Sequence, residues 1–235
     1  MSYLESLRGI INEINIMECS ILKEACIENF NEAIKASQLG ANRFELCSDL
    51  HHSGTTPSFG TAKEIKKKLQ IPLHCIIRPR KGNFVYNSSE VDIMIYDIQH
   101  FINYANIDGI VIGALTKDGL IDIETIKKVI SVAKEMNNNL SITFHMAFDE
   151  IKDIEQNYKE NIDLLIELGC DRILTKGGKT NAIDGKDNIK KYIEYANKRI
   201  IIMPGGGVNN SNYIDLVKYT GAKEVHGTQI VGLLE

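Results

Sequence analysis

The chain has 235 residues, of which 43% are hydrophobic and 25% charged, and its formal net charge is −4. That balance excludes a disordered chain, which buries too little apolar surface to offset its ordering entropy, and the negative charge argues against a binder of nucleic-acid backbones. No apolar stretch approaches the roughly 18 residues needed to cross a bilayer, and the opening MSYLESLRGIINEIN lacks the basic start and unbroken apolar core of a secretory signal. Neither nucleic acid nor membrane is therefore an expected partner. The five cysteines (Cys19, Cys26, Cys47, Cys75 and Cys170) are odd in number and match no zinc-finger spacing. Reduced thiols in the cytoplasm are the expected state.

In chain order, Leu4, Leu7, Ile11 and Ile14 fall at helical spacing, so residues 1–19 read as a helical N-terminal extension. Short apolar runs rich in β-branched residues then recur at 21–26, 43–47, 73–78, 109–113, 141–145, 172–175, 200–203 and 224–226. Helical patterns lie between them, among them 62–69, 91–104, 123–136 and 162–168. Asn29 and Ser89 suit helix N-caps, and Gly40 and Gly169 suit left-handed C-terminal caps. Runs such as Ile110-Val111-Ile112 are apolar on both faces, as in a parallel sheet covered by helices. Eight such units predict one α/β domain over residues 20–235, a (β/α)8 TIM-type barrel, with an open doubly wound sheet as the alternative. Little chain remains after the last strand, so two expectations stand for the N-terminal segment: a helix in place of a full eighth helix, or a frayed extension.

The ends of these strands hold the chemistry. Strands one and two finish alike, as Glu24-Ala25-Cys26 and Glu45-Leu46-Cys47. Side chains alternate along a strand, so each carboxylate shares a face with its thiol. A closely spaced thiolate pair suits Cu(I); the competing reading is two cysteines packed as small hydrophobes. Strand three ends in Arg78-Pro79-Arg80, two guanidiniums suited to gripping an anion or to neutralising Glu24 and Glu45. His145, with Asp149 four residues on, reads as an acid–base group with an orienting partner or as a structural histidine, and His226 reads the same way. After strands six and seven, Thr175-Lys176-Gly177-Gly178 and Pro204-Gly205-Gly206-Gly207 bring backbone N–H groups within reach of an anion.

These segments resemble the CutC copper-homeostasis family. The likeness runs through KEAC at 23–26, GANRFELCSDL at 40–50, SGTTPSFG at 53–60 and IRPRKGNFVY at 77–86. It continues through DGIVIGALTKDGLID at 108–122, TFHMAFD at 143–149, RILTKGG at 172–178, IIIMPGGGV at 200–208 and EVHG at 224–227. The resemblance implies a TIM-barrel-like fold, a cytoplasmic location and Cu(I) binding, and places the family's two suggested copper cysteines on Cys26 and Cys47. This chain departs from the family pattern at Met146, where arginine is usual.

Two functions are expected to compete. The first is a cytosolic Cu(I)-binding protein of copper homeostasis, with Cys26 and Cys47 as ligands. The second is a barrel enzyme acting on a small anionic or phosphorylated metabolite. There Glu45 and His145 exchange protons while Glu24, Arg78, Arg80, Asp149, Thr175, Gly205, Gly206, Gly207 and His226 bind the ligand. Two carboxylates beside the thiols outnumber the nearest arginine, so both thiols are expected to stay protonated until a metal displaces the protons. A homodimer is the expected assembly.

Overall fold

A computed structural model describes residues 21–234. The N-terminal extension, with Leu4, Leu7, Ile11, Ile14 and Cys19, lies outside the described residues. Strands and helices alternate as β1 (Leu22–Ile27), α1 (Phe30–Gln38), β2 (Arg43–Leu46), α2 (Phe59–Lys68), β3 (Leu73–Ile76), α3 (Ser88–His100), β4 (Gly109–Ile112) and α4 (Ile123–Met136). They continue as β5 (Ser141–Phe144), α5 (Ile154–Glu167), β6 (Arg172–Thr175), α6 (Lys186–Ala196), β7 (Ile201–Pro204), α7 (Tyr213–Thr220) and β8 (Glu224–Gly227). The strands form one parallel sheet in the order β7-β6-β5-β4-β3-β2-β1-β8. β7 packs against β8 to make a nearly closed TIM-type barrel, and just past the two strand ends the chain is bridged at Asn209 and Gln229. Among the described residues no helix follows β8, and none is long and apolar enough to cross a membrane.

The helix ends follow from their side chains. Asn29 caps α1 by accepting from the Glu32 N–H at 3.0 Å, and Gly40 takes the left-handed conformation (φ 85°) just beyond its end. The cap of α3 is Asn87 rather than the expected Ser89. Asn87 and Glu90 exchange side-chain-to-backbone hydrogen bonds at 3.0 and 2.9 Å, and this reciprocal box requires the acid three residues after the cap. Ser89 therefore falls within the first turn. Gly169, with φ 88°, ends α5 as expected.

Period-two alternation splits each strand between two environments. Outward residues such as Ala25, Ile27, Phe44, Leu46, Ile112 and Phe144 are fully buried in the apolar layer beneath the helices. The inward layer is unusual. TIM-barrel interiors are filled mostly by branched aliphatics, whereas this one has a floor of Glu24, Arg43, Arg172 and Glu224, each at most 8% exposed. Arg43 donates to Glu24 and, at 2.6 Å, to Glu224; Arg172 donates to Glu224 at 2.5 Å and to the hydroxyl of Thr143 at 3.2 Å.

Strand β4 makes room for bulky inward neighbours by presenting glycine. A Cβ on Gly109 would lie 2.5 Å from the His74 ring, and one on Gly113 would lie 2.3 Å from His145. Gly113→Ala is accordingly expected to destabilise the fold by about 1–3 kcal/mol, the usual cost of overpacking a close-packed interior. Urea unfolding measures it, and an unchanged midpoint would show that His145 is not held in place.

Candidate metal centre at the barrel mouth

Above the charged floor, inward side chains of β1, β2 and β8 converge. In the β1–β2 register Cys26 stands opposite Glu45 and Glu24 opposite Arg43, so the two cysteines meet diagonally, with Cys26 Sγ 3.5 Å from Cys47 Sγ. Both are free and buried. His226 stands opposite Glu24 across the β1–β8 register. Its Nδ1 lies 2.8 Å from Glu24 Oε1 and 3.7 Å from Glu45 Oε2. That Glu45 oxygen is buried and makes no hydrogen bond among the described residues.

Each ionisable group has a legible cause for its state. Burial opposes charge on Glu24, yet Arg43 and then His226 hold its carboxyl well below the usual range. Glu45 lacks a directly bonded cation, and burial, reinforced by Glu24, pushes it up to about 7 against the pull of His226. Burial likewise disfavours charge on His226, but the Glu45 and Glu24 carboxylates outweigh it and raise the imidazole's pKa. The hydrogen bond with Cys47, then burial, then the neighbouring negative groups push the Cys26 thiol well up. For Cys26, the expected protonated thiol is the state these causes favour.

A cavity of about 520 Å³ opens over this cluster. Cys26, Glu45 and His226 line one side; Arg78, His145, Met146, Lys176, Gly206 and Gly207 line another. The N–H groups of Gly206 and Gly207 donate to no group among the described residues. Burial, then Arg78, drives His145 down to about 3, so it is neutral; its Nδ1 accepts from the Ala147 N–H at 3.0 Å, and its buried Nε2 has no partner.

Other expected residues sit differently. Neither Arg78 nor Arg80 neutralises Glu24 or Glu45; Arg43, from the start of β2, pairs with Glu24. Arg78 is committed to the carbonyls of His52, Ser53, Gly54 and Gly82, with its guanidinium over the Phe84 ring, because it pins the loops after β2 and β3. Arg80 lies outside the cavity, bound to Glu90 at 2.5 Å. Asp149 does not orient His145. It accepts from the Thr175 hydroxyl at 2.6 Å and from the Lys176 and Gly178 N–H groups at 3.0 and 2.7 Å, tying the loops after β5 and β6 together. Thr175 is consumed in the same knot. Gly205 is a space-maker rather than an exposed anion donor: its N–H bonds to the Thr175 carbonyl, and a Cβ there would lie 2.5 Å from Leu174 and 3.0 Å from Met146.

Four functional-looking residues were not among the sequence candidates: Arg43, Arg172, Glu224 and His74. His74 is buried 3.8 Å from Glu24, and burial lowers it to about 4. The signal for Arg43 was available in the alternation Arg43-Phe44-Glu45-Leu46-Cys47, which puts three polar residues on one face.

Fold and site together define a parallel α/β barrel carrying a buried cysteine–carboxylate–histidine cluster at the C-terminal ends of its strands. The CutC family model matches residues 21–231, and the chain belongs to the CutC family. A CutC family protein of Enterococcus faecalis is 44% identical over 90% of this chain and its own entire length. The human copper homeostasis protein cutC homolog is 40% identical over 87% of this chain and 72% of its own. A solved CutC structure from Streptococcus agalactiae superposes with a TM-score of 0.83 at 40% identity, covering 89% of this chain and 99% of its own.

Because His145 is held neutral down to about pH 3 while a free histidine protonates near 6.5, the unfolded chain binds the extra proton between those values. Its contribution to stability is present above pH 6.5 and is lost as pH falls. His145→Gln is expected to lose less stability than the parent between pH 6.5 and 4, measured by urea unfolding at each pH. Equal losses in the two proteins would show that His145 is charged in the fold.

Proposed function

We propose that this protein binds Cu(I) in cytoplasmic copper homeostasis, with Cys26 and Cys47 as ligands at the barrel mouth. The observation that carries the reading is the pair of free, buried thiols 3.5 Å apart, a soft donor set that favours Cu(I) over hard cations. Relatives named for copper homeostasis support it. The donor spacing fits a bent site: with metal–sulfur bonds of about 2.3 Å, linear coordination would need sulfurs about 4.6 Å apart. A free thiol pair this close persists where the surroundings are reducing, which agrees with a cytoplasmic role.

Cys26 lines the cavity, so a metal entering through the mouth would meet the pair at that residue. Cys26 is protonated before binding, and forming its metal bond expels that proton to solvent. The enzyme reading has less geometric support. No hydrogen bond joins Glu45 to His145, and Asp149, the expected orienting acid, is turned away from it.

Titrating the reduced protein with Cu(I) against a competing chelator is expected to give one tightly bound ion per chain. In weakly buffered solution at pH 7, at least one proton should appear for each ion bound. Cys26→Ser and Cys47→Ser should each weaken binding at least tenfold. Stoichiometric binding that survives the double replacement would overturn the assignment.

A further inference from the structure

We propose that Cys26, Glu45 and His226 form a second, distinct coordination set, a three-ligand site for a borderline divalent cation of the zinc type with an open position facing the cavity. It shares only Cys26 with the copper pair and does not depend on that reading. One ligand atom from each of the three residues lies within 4.8 Å of the other two, and all three residues are buried. Glu45 Oε2 points into this space with no hydrogen-bond partner, at a residue only 5% exposed. A buried carboxylate oxygen without a donor is costly; the His226 imidazole 3.7 Å away is too far to bond it, and a metal ion held between them is the partner its position lacks.

The donor set selects the metal. One thiolate, one imidazole and one carboxylate suit a borderline divalent ion, whereas Cu(I) prefers soft sulfur alone. Charge agrees. The floor beneath balances itself, Arg43 and Arg172 against Glu24 and Glu224. Above it, ionised Cys26 and Glu45 carry two negative charges, which a divalent ion cancels and a monovalent ion does not. Binding replaces the Cys26 S–H bond by a sulfur–metal bond and the His226 Nε2–H bond by a nitrogen–metal bond, and both protons leave to solvent.

His226 is already oriented for the task. Glu24, ion-paired with Arg43, accepts the Nδ1 hydrogen bond at 2.8 Å, which fixes the ring and leaves Nε2 as the atom a metal would take in exchange for its proton. A ligating histidine held by a carboxylate through its other nitrogen is the usual outer-shell arrangement of metal sites. Three protein ligands with a vacant fourth position is also the pattern of reactive rather than structural zinc. Here that position opens toward Arg78, Lys176 and the free N–H groups of Gly206 and Gly207, so the ligand class it would take is a small anion.

Co2+ serves as the probe, because its visible bands report coordination and its near-ultraviolet band reports thiolate bonding. The reduced, metal-free protein is expected to bind one Co2+ with four-coordinate bands and a thiolate charge-transfer band. Cys47→Ser should leave these intact while losing Cu(I). Cys26→Ser should abolish the charge-transfer band, and His226→Gln or Glu45→Gln should weaken Co2+ at least tenfold while preserving Cu(I). Azide should shift the visible bands through the open position. X-ray absorption of the Zn2+-loaded parent protein, which requires no variant to fold, should show one sulfur and at least two nitrogen or oxygen neighbours. Two sulfurs at zinc, no Co2+ binding, unshifted bands with azide, or Co2+ binding indifferent to His226 and Glu45 would each overturn the proposal. Cu(I) binding that failed while the Co2+ results held would overturn the copper assignment alone.

Discussion

The buried ion network of Glu24, Arg43, Glu224 and Arg172 is the constraint on which the rest of the interior depends. Four charges out of water are tolerable only because each is paired and hydrogen-bonded, and the pairing sums to zero. Such a network adds little net stability over an apolar filling, but removing one member leaves an uncompensated buried charge and costs about 3–5 kcal/mol. Its geometry is therefore effectively fixed. Glu24 uses one oxygen on Arg43 and the other on His226, so the floor decides where the histidine above it stands. Glu45, one layer higher on β2, is the carboxylate left outside the balance.

Volume imposes the second constraint. A barrel interior is close-packed, and large inward side chains require absent ones opposite. β4 supplies the absences: its inward residues are Gly109, Val111 and Gly113, with His74 and His145 occupying the space at the two glycines. Gly205 on the far wall does the same for Leu174 and the Met146 thioether. Met146 is thus packed against a glycine at the cavity wall and lines the mouth without a charge.

The fold was legible because alternation of apolar runs with helical periods survives in every unit. What escaped was the true start of α3, where two serines next to Asn87 compete for the same capping role. The site was half legible. The repeated Glu-x-Cys pattern puts acids and thiols on one face by period alone, and the structure brings them together. Partners were misjudged because proximity along the chain is a poor guide to proximity across a barrel. Arg78 is near Glu45 by strand order, but Arg43 sits directly opposite Glu24 in register and meets it first. Asp149 is four residues from His145, yet the short turn Met146–Glu150 carries it round to the loop after β6. Arg172 and Glu224 begin their strands and His74 stands second in its own, where polar residues ordinarily mean a solvated end, and only closure of the barrel buries them.

The mouth is polar in a directional sense. Its thiol, acid and imidazole come from β1, β2 and β8, while Arg78, Lys176 and the free glycine N–H groups come from the loops after β3, β6 and β7. A bare cation satisfies the first half and leaves the second facing water or an anion; a bare anion does the reverse. The cavity is large enough to hold more than one small group, and a cation that keeps an anionic ligand of its own matches both walls at once. The floor is already matched, so the ion's charge answers ionised Cys26 and Glu45, and its anion is left to face Arg78 and Lys176.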